Sequence, residues 1–593
     1  MADRRPSQTV PVGLRRESSV ANGSLFRFEE GFYSTQDLPG LCPELESNME
    51  QLTVQKSKNQ TTQTELSAPP PIHQSSEEKS LRSFRTALPP PSLSSESSMT
   101  DLKAHQEPEF PEKKGCRVYR FLRWNVGSMY KRIFTVAFLG NVATIIVLLV
   151  QNLIDGSGLT YGEAGTAVAC NILMAMIVRN EHIVNGVITV FGVWPRRLPL
   201  RLRHFFAKVY CYGGIHSGCG VAATFWYMVF LGLITRDYVN SDMTVIRSHI
   251  LEVSYAILFL LVSILVFAYP TIRIATHNWF EGIHRFMGWS ATLLFWVQTF
   301  LVAADTAQTA NIPYWKALLQ TPAFSILICI TSLVIYPWAR LRLRDVEVQP
   351  LSSHCVKLNF TYTTGWYGQA VRLADSPLKE THAFALIPNT TTETEMKRGK
   401  PQNLTYVDKK GFSVIISNAG DWTRRMINNP PRQIYSRGVP QDGVLRIALM
   451  FRPCLIVATG SGISPCLSLF IDQPTHPVRV VWATKDPLKT FGKPVLDTIY
   501  GADPNAVVID SRKDGRPDVV KLVYQVWKNS GSEPECGFET AATAAGYEYQ
   551  RSKTAGLGRC QAVIIISNQT VTRKVVYGLE SRGVPAYGAI FDS

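Results

Sequence analysis

Six apolar segments, most of them close to membrane length, restrict what the middle of this chain can fold into. They lie at residues 133–150, 164–178, 212–234, 253–269, 286–304 and 317–336. About 18 apolar residues are enough for a helix to cross a bilayer. The second segment is the weakest, because a charged stretch at 179–182 interrupts it before a further apolar stretch at 183–194. The pattern predicts a six-helix transmembrane domain at residues 116–340, with the lipid bilayer as a partner.

Basic residues beside these segments predict an orientation. Five of them lie at positions 196–208 before the third segment, and Arg340, Arg342 and Arg344 follow the sixth. The loops on the opposite side hold fewer. Because Lys and Arg are retained on the cytoplasmic side of a membrane, we predict an integral membrane protein of the plasma membrane with both termini cytoplasmic.

Composition narrows the class of partner. The chain has 61 Lys and Arg against 46 Asp and Glu, a net charge of +15. Since many of the basic residues flank apolar segments, this charge indicates anionic lipid, and we expect no nucleic-acid partner. The 11 cysteines lack CxxC spacing, which is typical of reduced thiols and not of a metal or disulfide framework.

The chain outside the apolar segments divides into three further regions. Residues 1–115 are rich in Ser, Pro, Gln and Glu, which predicts a disordered tail because so little apolar surface can be buried. Short alternating strands over 345–450 predict a small antiparallel barrel. Strands that alternate with helical stretches over 451–593 predict an open parallel α/β domain.

A glycine-rich loop carries the most specific chemistry of the C-terminal half. The apolar run at 454–459 is typical of a buried parallel strand, and Gly-Ser-Gly-Ile-Ser-Pro follows it directly. Glycines there let backbone N–H groups approach a phosphate, and the next helix presents its positive end to the anion. A tight structural turn has the same pattern, so both interpretations stay open. The residues assigned to a nicotinamide nucleotide are Gly460, Ser461, Gly462, Ile463 and Pro465.

Histidines beside the apolar segments are candidate haem ligands, since one imidazole from each of two helices can bind one iron. The candidates are His204 and His216 near the third segment and His284 before the fifth. A second haem would need another histidine about 13–14 positions further along, where the chain has Val297 and Gln298. Two haems are therefore excluded by the sequence. One haem stays open as an alternative to interfacial histidines that bind no metal, and we expect the latter.

Helices, a barrel and an α/β domain in this order resemble the ferric reductase and NADPH oxidase superfamily over about residues 120–593. The stretch at 277–286 is similar to the fungal TmpA-like integral membrane proteins. The resemblance implies the fold class, a multi-domain membrane protein with a six-helix transmembrane bundle. A ferredoxin-reductase-like antiparallel β-barrel that binds FAD and an α/β domain that binds NADPH or NADH would follow the bundle.

Three local motifs within that resemblance imply flavin chemistry. His382-Ala383-Phe384 resembles the family's flavin motif His-Pro-Phe-Thr, with Ala383 in place of proline. Phe591 resembles the terminal aromatic residue that covers the flavin until nicotinamide displaces it. Ser567 stands where the family has Cys-Gly-Pro, near the place of hydride transfer. The resemblance thus places Phe591 and Ser567 in catalysis and His382, Ala383 and Phe384 at FAD.

Further residues complete the implied cofactor sites. Gly515 and Arg516 belong to a Gly-Arg-Pro stretch that resembles the family motif near the NADPH phosphates. Arg512 lies between a serine and a lysine, a group that suits a 2′-phosphate and favours NADPH, although an exposed loop explains it equally well. Thr423 lies in the basic stretch Trp-Thr-Arg-Arg. We place it at FAD phosphates, with a solvated basic helix face as the alternative for the stretch.

These expectations combine into two functions. The first is a membrane-anchored flavoprotein oxidoreductase that passes hydride from NADPH to FAD and electrons to an unknown membrane or soluble acceptor. The resemblance further implies fungal developmental signalling. The second is a catalytically degenerate membrane sensor or scaffold that retains the same fold, because a fold alone does not determine function.

Overall fold

The computed structural model of the chain describes residues 110–155, 158–397, 400–532, 541–547 and 551–589. From Phe110 onward the chain forms one compact unit. The predicted tail at 1–115 lies outside the described residues except for 110–115. The helices that precede the first strand are α1 (Arg117–Phe121), α2 (Met129–Asp155), α3 (Tyr161–Ile177), α4 (Glu181–Ile188), α5 (Leu200–Phe206), α6 (Gly213–Val239), α7 (Val245–Ala268), α8 (Pro270–Ala275), α9 (His277–Thr309), α10 (Tyr314–Gln320) and α11 (Pro322–Ala339).

Five stretches of this helical region are long and apolar enough to cross a membrane, judged by length and composition. They are Met129–Gln151, Leu200–Val239, Val245–Ala268, Trp279–Thr309 and Pro322–Ala339. The second predicted segment is instead a pair of helices, bent by 67° at a short break. The bend has a local cause, because the Asn180 side chain accepts hydrogen bonds from the backbone N–H groups of His182 and Ile183 and so starts α4 as a new helix.

Small residues hold α6 against α2. A Cβ added at Gly214 would lie 2.4 Å from the carbonyl oxygen of Tyr130, and one added at Gly218 would lie 2.8 Å from that of Phe134. The two glycines are one helical turn apart, the spacing at which two apolar helices approach closely. The sequence therefore specifies this contact by the absence of side chains.

Two antiparallel sheets follow the helices. Their strands are β1 (Arg342–Asp345), β2 (Glu347–Ser352), β3 (Cys355–Phe360), β4 (Gln369–Ala374), β5 (His382–Ala385), β6 (Ile387–Lys397), β7 (Lys400–Ser417) and β8 (Gln433–Asp442), and helix α12 (Asp421–Asn428) lies between β7 and β8. One sheet has the order β1-β8-β4-β5 and the other β2-β3-β7-β6. Apolar side chains from both sheets, among them Leu358, Val371 and Ile434, form a common core.

The closed barrel of the predicted fold class is wrong, and the second of the six predicted spans is a bent helix pair. Within the described ranges the edge strands β1, β5, β2 and β6 have no second ladder partner, so neither sheet closes. Alternation of apolar and polar residues predicts strands, but closure depends on which edges pair, and periodicity does not encode that. The second span is the bent pair described above, because a cap residue interrupts it.

A five-stranded parallel sheet forms the last part of the chain. Its strands are β9 (Cys454–Thr459), β10 (Val478–Thr484), β11 (Val507–Asp510), β12 (Val563–Ile566) and β13 (Ala586–Gly588), and the helices are α13 (Ile463–Asp472), α14 (Pro487–Phe491), α15 (Lys493–Ala502), α16 (Val519–Asn529), α17 (Ala541–Ala544) and α18 (Gln569–Glu580). Alternate residues of β9 enter two different cores, Ile456 one and Leu455 the other. The sheet is thus covered on both faces, as parallel sheets require.

Candidate nucleotide and flavin sites

The glycine-rich loop joins β9 to α13 in a single tight turn. Gly460 has φ +51°, and a Cβ added there would have no atom within 4 Å. Its carbonyl oxygen accepts a hydrogen bond of 2.9 Å from the indole Nε1 of Trp482. Gly460 therefore combines a left-handed backbone with open space in front of it. A phosphate can approach the chain at this glycine.

Gly462 packs directly on the neighbouring strand β12. A Cβ added there would lie 2.1 Å from the carbonyl oxygen of Ile566. This glycine lets the loop pack directly on the end of β12, which is a structural requirement. Of the two glycines in the motif, Gly460 borders the open side.

Strand order places the loop at a switch point of the sheet. The order is β11-β10-β9-β12-β13, so the chain leaves β9 toward one edge and returns to its other side at β12. In open parallel sheets, ligands bind in the crevice at the carboxyl ends of the strands where the order reverses. Ser567 follows β12 at this point, is 6% exposed, and shares a hydrogen bond between its hydroxyl and that of Thr459. The structure thus brings Ser567 and the glycine loop together.

The loop after β11 is organised by one carboxylate. Asp510 accepts hydrogen bonds from the backbone N–H groups of Asp486 (2.9 Å) and Arg512 (3.0 Å). These bonds, together with nearby cations, lower the pKa of Asp510. The Arg512 guanidinium pairs with the Asp486 carboxylate at 2.8 Å. Gly515 (φ +76°) and Arg516 are exposed in the same loop.

The predicted flavin strand β5 carries an aromatic stack. The Trp422 ring lies 4.3 Å from the ring of His382 and 5.6 Å from that of Phe384, between ring centres. Trp422 is 5% exposed, so its indole covers one face of both rings, while Ala383 between them points to solvent. Burial is the largest cause that lowers the pKa of His382. A solvated helix face, the alternative for this stretch, does not describe Trp422.

Two buried nitrogen atoms at this stack have no hydrogen-bond partner, the Nε2 of His382 and the Nε1 of Trp422. Buried polar atoms normally have partners, and the polar edge of a flavin nucleotide would supply them. Thr423 instead uses its hydroxyl oxygen to accept bonds from the N–H groups of Ala419 (2.8 Å) and Gly420 (2.9 Å), which caps α12. Because of these two nitrogen atoms, the residues at β5 fit an FAD. Thr423 would shape the backbone at the start of α12 beside the cofactor.

The two candidate sites are neighbours. Helix α13, which begins at the glycine loop, packs against β5 and β7. Its Ser468 hydroxyl accepts a hydrogen bond of 3.0 Å from the backbone N–H of Gly368, just before β4. A ligand at the loop and one at β5 would therefore be held by packed, directly connected elements. Phe591, the residue expected to cover the flavin, lies outside the described residues.

The structure brings two of the three histidine candidates together and places the third elsewhere. The rings of His216 on α6 and His284 on α9 lie 6.2 Å apart between centres. His216 Nδ1 is 2.9 Å from the carbonyl oxygen of Ala175, whereas His284 Nδ1 is buried without a partner. His204 lies elsewhere, with its Nε2 3.0 Å from the carbonyl oxygen of Gln561. Within the described part of the chain no group of three or more His, Cys, Asp or Glu is placed to hold a metal ion.

Residues that sequence reasoning missed are aromatic. Trp482 lies on β10 opposite Ala458 of β9, and its indole fixes the carbonyl of Gly460. The signal available was its position near the end of the second strand, beside the strand that precedes the loop. Stacking of Trp422 on β5 had no such signal, because the two segments are about 40 residues apart in the chain.

Comparison with known proteins gives a consistent result. A family model described as "Adenylate-forming reductase 03009, C-terminal domain" matches residues 444–536 and 551–593. Adenylate-forming reductase 03009 of Coprinopsis cinerea is 38% identical over 489 residues, which is 82% of this chain and 42% of that protein. Adenylate-forming reductase 06235 of the same organism is 38% identical over 491 residues, again 82% and 42%. The chain thus spans less than half the length of these relatives.

Solved structures match more distantly. A ferredoxin-NADP+ reductase from Plasmodium falciparum, a mutant in complex with 2′P-AMP, is 12% identical with a TM-score of 0.26 and covers 43% of this chain and 97% of that chain. A ferredoxin reductase in carbazole 1,9a-dioxygenase is 12% identical with a TM-score of 0.27 and covers 42% and 70%. These TM-scores are too low to define the fold of this region. Its fold is therefore described by its own strand order.

The family expected from the sequence is wrong. The matching model and both relatives are named adenylate-forming reductases, and not members of the ferric reductase and NADPH oxidase superfamily or its TmpA-like group. Helix, barrel and α/β order and short glycine motifs recur in unrelated families, so they could not separate these alternatives. The chain is similar to proteins that are named reductases.

Proposed function

We propose that this chain is a nicotinamide-nucleotide-dependent reductase with a flavin, FAD, as the hydride acceptor. The observation that carries the proposal is the open Gly460 at the switch point of the parallel sheet, beside Ser567. The backbone N–H groups at the start of α13 would bind the pyrophosphate of the nucleotide, because the positive end of the helix faces that anion. Similarity to adenylate-forming reductases supports the reaction class.

Each residue has a stated task in this proposal. Gly460 admits the pyrophosphate, and Gly462 holds the loop on β12. The Ser567 hydroxyl, which is hydrogen-bonded to Thr459, orients the end of β12 at the place where a nicotinamide ring would lie. His382 would offer the flavin its Nε2, which has no hydrogen bond and lies 3.9 Å from the Glu380 carboxylate. When bound, FAD supplies two-electron acceptance and single-electron release.

The preference for NADPH follows from Arg512 in the same proposal. Its guanidinium is largely exposed, at 65%, and stands at the end of β11 on an Asp486 carboxylate. A 2′-phosphate would find Arg512, Lys513 and Arg516 in one loop, and a planar guanidinium can bind it through two N–H groups. NADH lacks that phosphate.

Membrane placement is part of the proposal and has separate support. Five helical stretches and one bent pair have the length and composition of spans, and the basic residues after α11 favour a cytoplasmic C-terminal half. We propose the plasma membrane as the location, with the nucleotide supplied from the cytoplasm. The electron acceptor would be a membrane or soluble partner.

One observation supports haem as a second cofactor. His216 and His284 come from different helices, and their ring centres are 6.2 Å apart. One imidazole from each of two helices can bind one iron, so His216 and His284 would hold the haem and His204 would take no part. The Soret band of the purified protein tests this point.

The alternative function is a sensor or scaffold that binds the nucleotide without turnover. Purified protein with flavin absorbance near 450 nm that NADPH bleaches under anaerobic conditions would support the reductase. Colourless protein that binds NADPH without oxidising it would support the sensor.

A pair of variants at Gly460 that are matched in size but differ in charge tests the loop. Asparagine and aspartate both tolerate a positive φ, and a Cβ there meets nothing within 4 Å. Gly460→Asp should reduce flavin at least tenfold more slowly than Gly460→Asn at subsaturating NADPH, because the carboxylate repels the pyrophosphate, and tenfold is about 1.4 kcal/mol. Equal rates in the two variants would remove the loop from the nucleotide site.

A further inference from the structure

A cavity of about 200 Å³ lies where the last long helix joins the antiparallel sheet. Its polar lining comes from the end of α11, from β1, from the segment before β4 and from β8. We call it the arginine pocket, and its polar side chains are those of Arg340, Arg344, Arg437, Tyr362, Thr363 and Ser436. It borders neither the glycine loop nor the exposed side of β5, so it lies outside the sites described above.

Aromatic rings and hydroxyl groups hold two of its arginines in place. The guanidinium carbon of Arg344 lies 4.0 Å from the centre of the Tyr362 ring, and its Nε donates to the Ser436 hydroxyl at 3.4 Å. The guanidinium of Arg437 lies 4.9 Å from the Trp338 ring centre. Stacking of this kind fixes the plane of a guanidinium before any ligand arrives.

The positive charge of the pocket is only partly compensated, because Glu181 and Glu281 act on Arg437 from beyond ion-pair distance. In the described part of the chain no carboxylate lies within 4.0 Å of the three arginines. The two nearest buried or half-buried acids are already paired, Glu181 with Arg372 at 3.3 Å and Glu281 with Arg285. Unpaired cations are costly when they leave water, and an anionic ligand would offset that cost.

Arg437 shows this cost most clearly. Its Nε is buried and has no hydrogen-bond partner, although its terminal nitrogen donates to the Thr381 hydroxyl at 3.1 Å. Burial and the neighbouring arginines lower the pKa of Arg437 to about 10. A buried N–H group without an acceptor is energetically costly, and at Arg437 that cost adds to the positive charge in the wall of the pocket.

We propose that the arginine pocket binds a phosphate monoester. Guanidinium groups bind phosphate through paired N–H donors. The hydroxyls of Thr363 and Ser436 line the same pocket and donate to the carbonyl oxygens of Thr364 (3.3 Å) and Arg342 (3.4 Å). The volume of about 200 Å³ is below the roughly 300–1,000 Å³ of pockets for drug-sized ligands, so a dinucleotide does not fit. The binding site is independent of the proposed reductase activity.

Two sources can supply this chemistry. Arg340 directly follows the last apolar helix, which ends at Ala339, so the headgroup of phosphatidic acid is one source. A soluble phosphate ester is the other. Both present the same dianionic group, and the experiment therefore uses one probe of each kind.

The test uses the full chain in detergent and in lipid nanodiscs. Glycerol 3-phosphate is titrated into the detergent-solubilised protein by calorimetry. Nanodiscs of phosphatidylcholine with one tenth phosphatidic acid are used to count retained phosphatidic acid by native mass spectrometry. The pocket variant is Arg340→Gln with Arg344→Gln. The matched control is Arg342→Gln with Arg432→Gln, which removes the same charge from two exposed arginines that do not line the pocket.

We expect at least one probe to bind the wild type, at least tenfold more weakly to the pocket variant and within twofold to the control. Binding of glycerol 3-phosphate alone identifies a soluble ester, and selective retention of phosphatidic acid identifies a lipid. Absence of binding by both probes, or equal weakening in both double variants, overturns the proposal. If the pocket variant melts at a lower temperature, the exposed Arg340→Gln alone gives the same comparison, with at least threefold weakening expected.

Discussion

Polar groups are positioned differently in two regions of the molecule. One region is the parallel sheet, and the other is the junction between the helices and the antiparallel sheet. In the parallel sheet, functional candidates come from loops that directly follow strands, at Gly460, Asp486, Asp510 and Ser567. Their positions follow from the strand order alone, because all carboxyl ends lie at one edge. A local motif therefore predicts such a site once the sheet exists.

At the junction, residues far apart in sequence meet in pairs. The Asn185 amide donates to the Pro440 carbonyl at 2.9 Å and accepts from the Asp442 N–H at 2.8 Å. The Arg372 guanidinium pairs with Glu181, which is 1% exposed. No motif connects these positions, so only packing brings them together. The positions of polar residues in the loops of a parallel sheet can therefore be predicted from sequence, whereas their positions at a domain junction cannot.

The largest expected effect concerns a buried ion pair beneath β10. Asp503 is fully buried and pairs with Arg479 at 3.0 Å. Arg479→Met leaves an unpaired buried carboxylate, which should cost about 3–5 kcal/mol, or roughly 6–20 °C in the melting temperature of a domain of this size. Lys493→Met is the control, since its pair with Asp497 at 2.8 Å is largely exposed. Equal melting temperatures for both variants would contradict a parallel sheet that depends on this pair.

The parallel-sheet region should also account for part of the loss of folding stability in acid. Burial lowers the pKa of His476 to about 4, from 6.5 for the free group. Below pH 6.5 the unfolded chain therefore binds a proton at His476 that the folded chain does not bind. The contribution of His476 to the free energy of unfolding is complete above pH 6.5 and is lost as the pH falls toward 4. The slope is about 1.4 kcal/mol per pH unit for one proton.

Melting temperatures of the wild type and His476→Gln between pH 7.5 and 4.5 measure this contribution. Whatever the stability of the variant at pH 7.5, its loss of stability between pH 7.5 and 4.5 should be smaller than that of the wild type by about 3 kcal/mol. Parallel declines would mean that other groups carry the acid sensitivity. That outcome would remove this difference between the two regions.

A glycine pair compares the junction with a loop of the parallel sheet. Gly438 and Gly515 have nearly equal φ values, +72° and +76°. A Cβ at Gly438 would lie 2.2 Å from the Glu181 carboxylate oxygen, whereas one at Gly515 meets nothing within 4 Å. Both alanine variants bear a similar backbone penalty of about 1–2 kcal/mol.

Gly438→Ala should lose roughly 1–3 kcal/mol beyond that penalty, because the carboxylate must move within a packed junction. Differential scanning fluorimetry of the two purified variants measures the excess. If Gly515→Ala melts as low as Gly438→Ala, Glu181 does not hold the junction in the way described.

The smallest expected effect lies at the cofactor loop. Arg512→Ala should lower kcat/KM for NADPH by threefold to tenfold, about 0.7–1.4 kcal/mol, and leave NADH unchanged, because only NADPH carries the 2′-phosphate. Lys489→Ala, an exposed lysine on α14, controls for general charge. A similar loss for both variants, or a similar loss with both nucleotides, would show that Arg512 does not read the phosphate.

Much of the fold was predictable, for reasons that differ between elements. The apolar runs at 454–459 and 562–566 are strands because uniform burial on both faces leaves a continuous apolar run. The strands near 355–360 and 412–416 were recognisable from composition, but the long β6–β7 pairing and the unclosed edges were not. Pairing of edges is a property of the whole sheet.

Within the candidate sites the same division appears. The glycine loop was identified from its residues, but the sequence did not show that the carbonyl oxygen of Ile566 fills the space beside Gly462 and that Gly460 borders the open side. His382 and Phe384 were placed by motif, and the Trp422 ring that covers them was not. The haem candidates were chosen by position, and packing brought only His216 and His284 together.

The sequence by itself determined the elements whose signal is local. These are the apolar helices, the alternating strands and the glycine turn, since each depends on residues a few positions apart and on their own backbone preferences. Tertiary structure alone decided which glycine is open, which histidines meet and where three arginines line one cavity. The physical reason is that burial and pairing of charges depend on neighbours contributed by distant segments, and those neighbours exist only after the chain has packed.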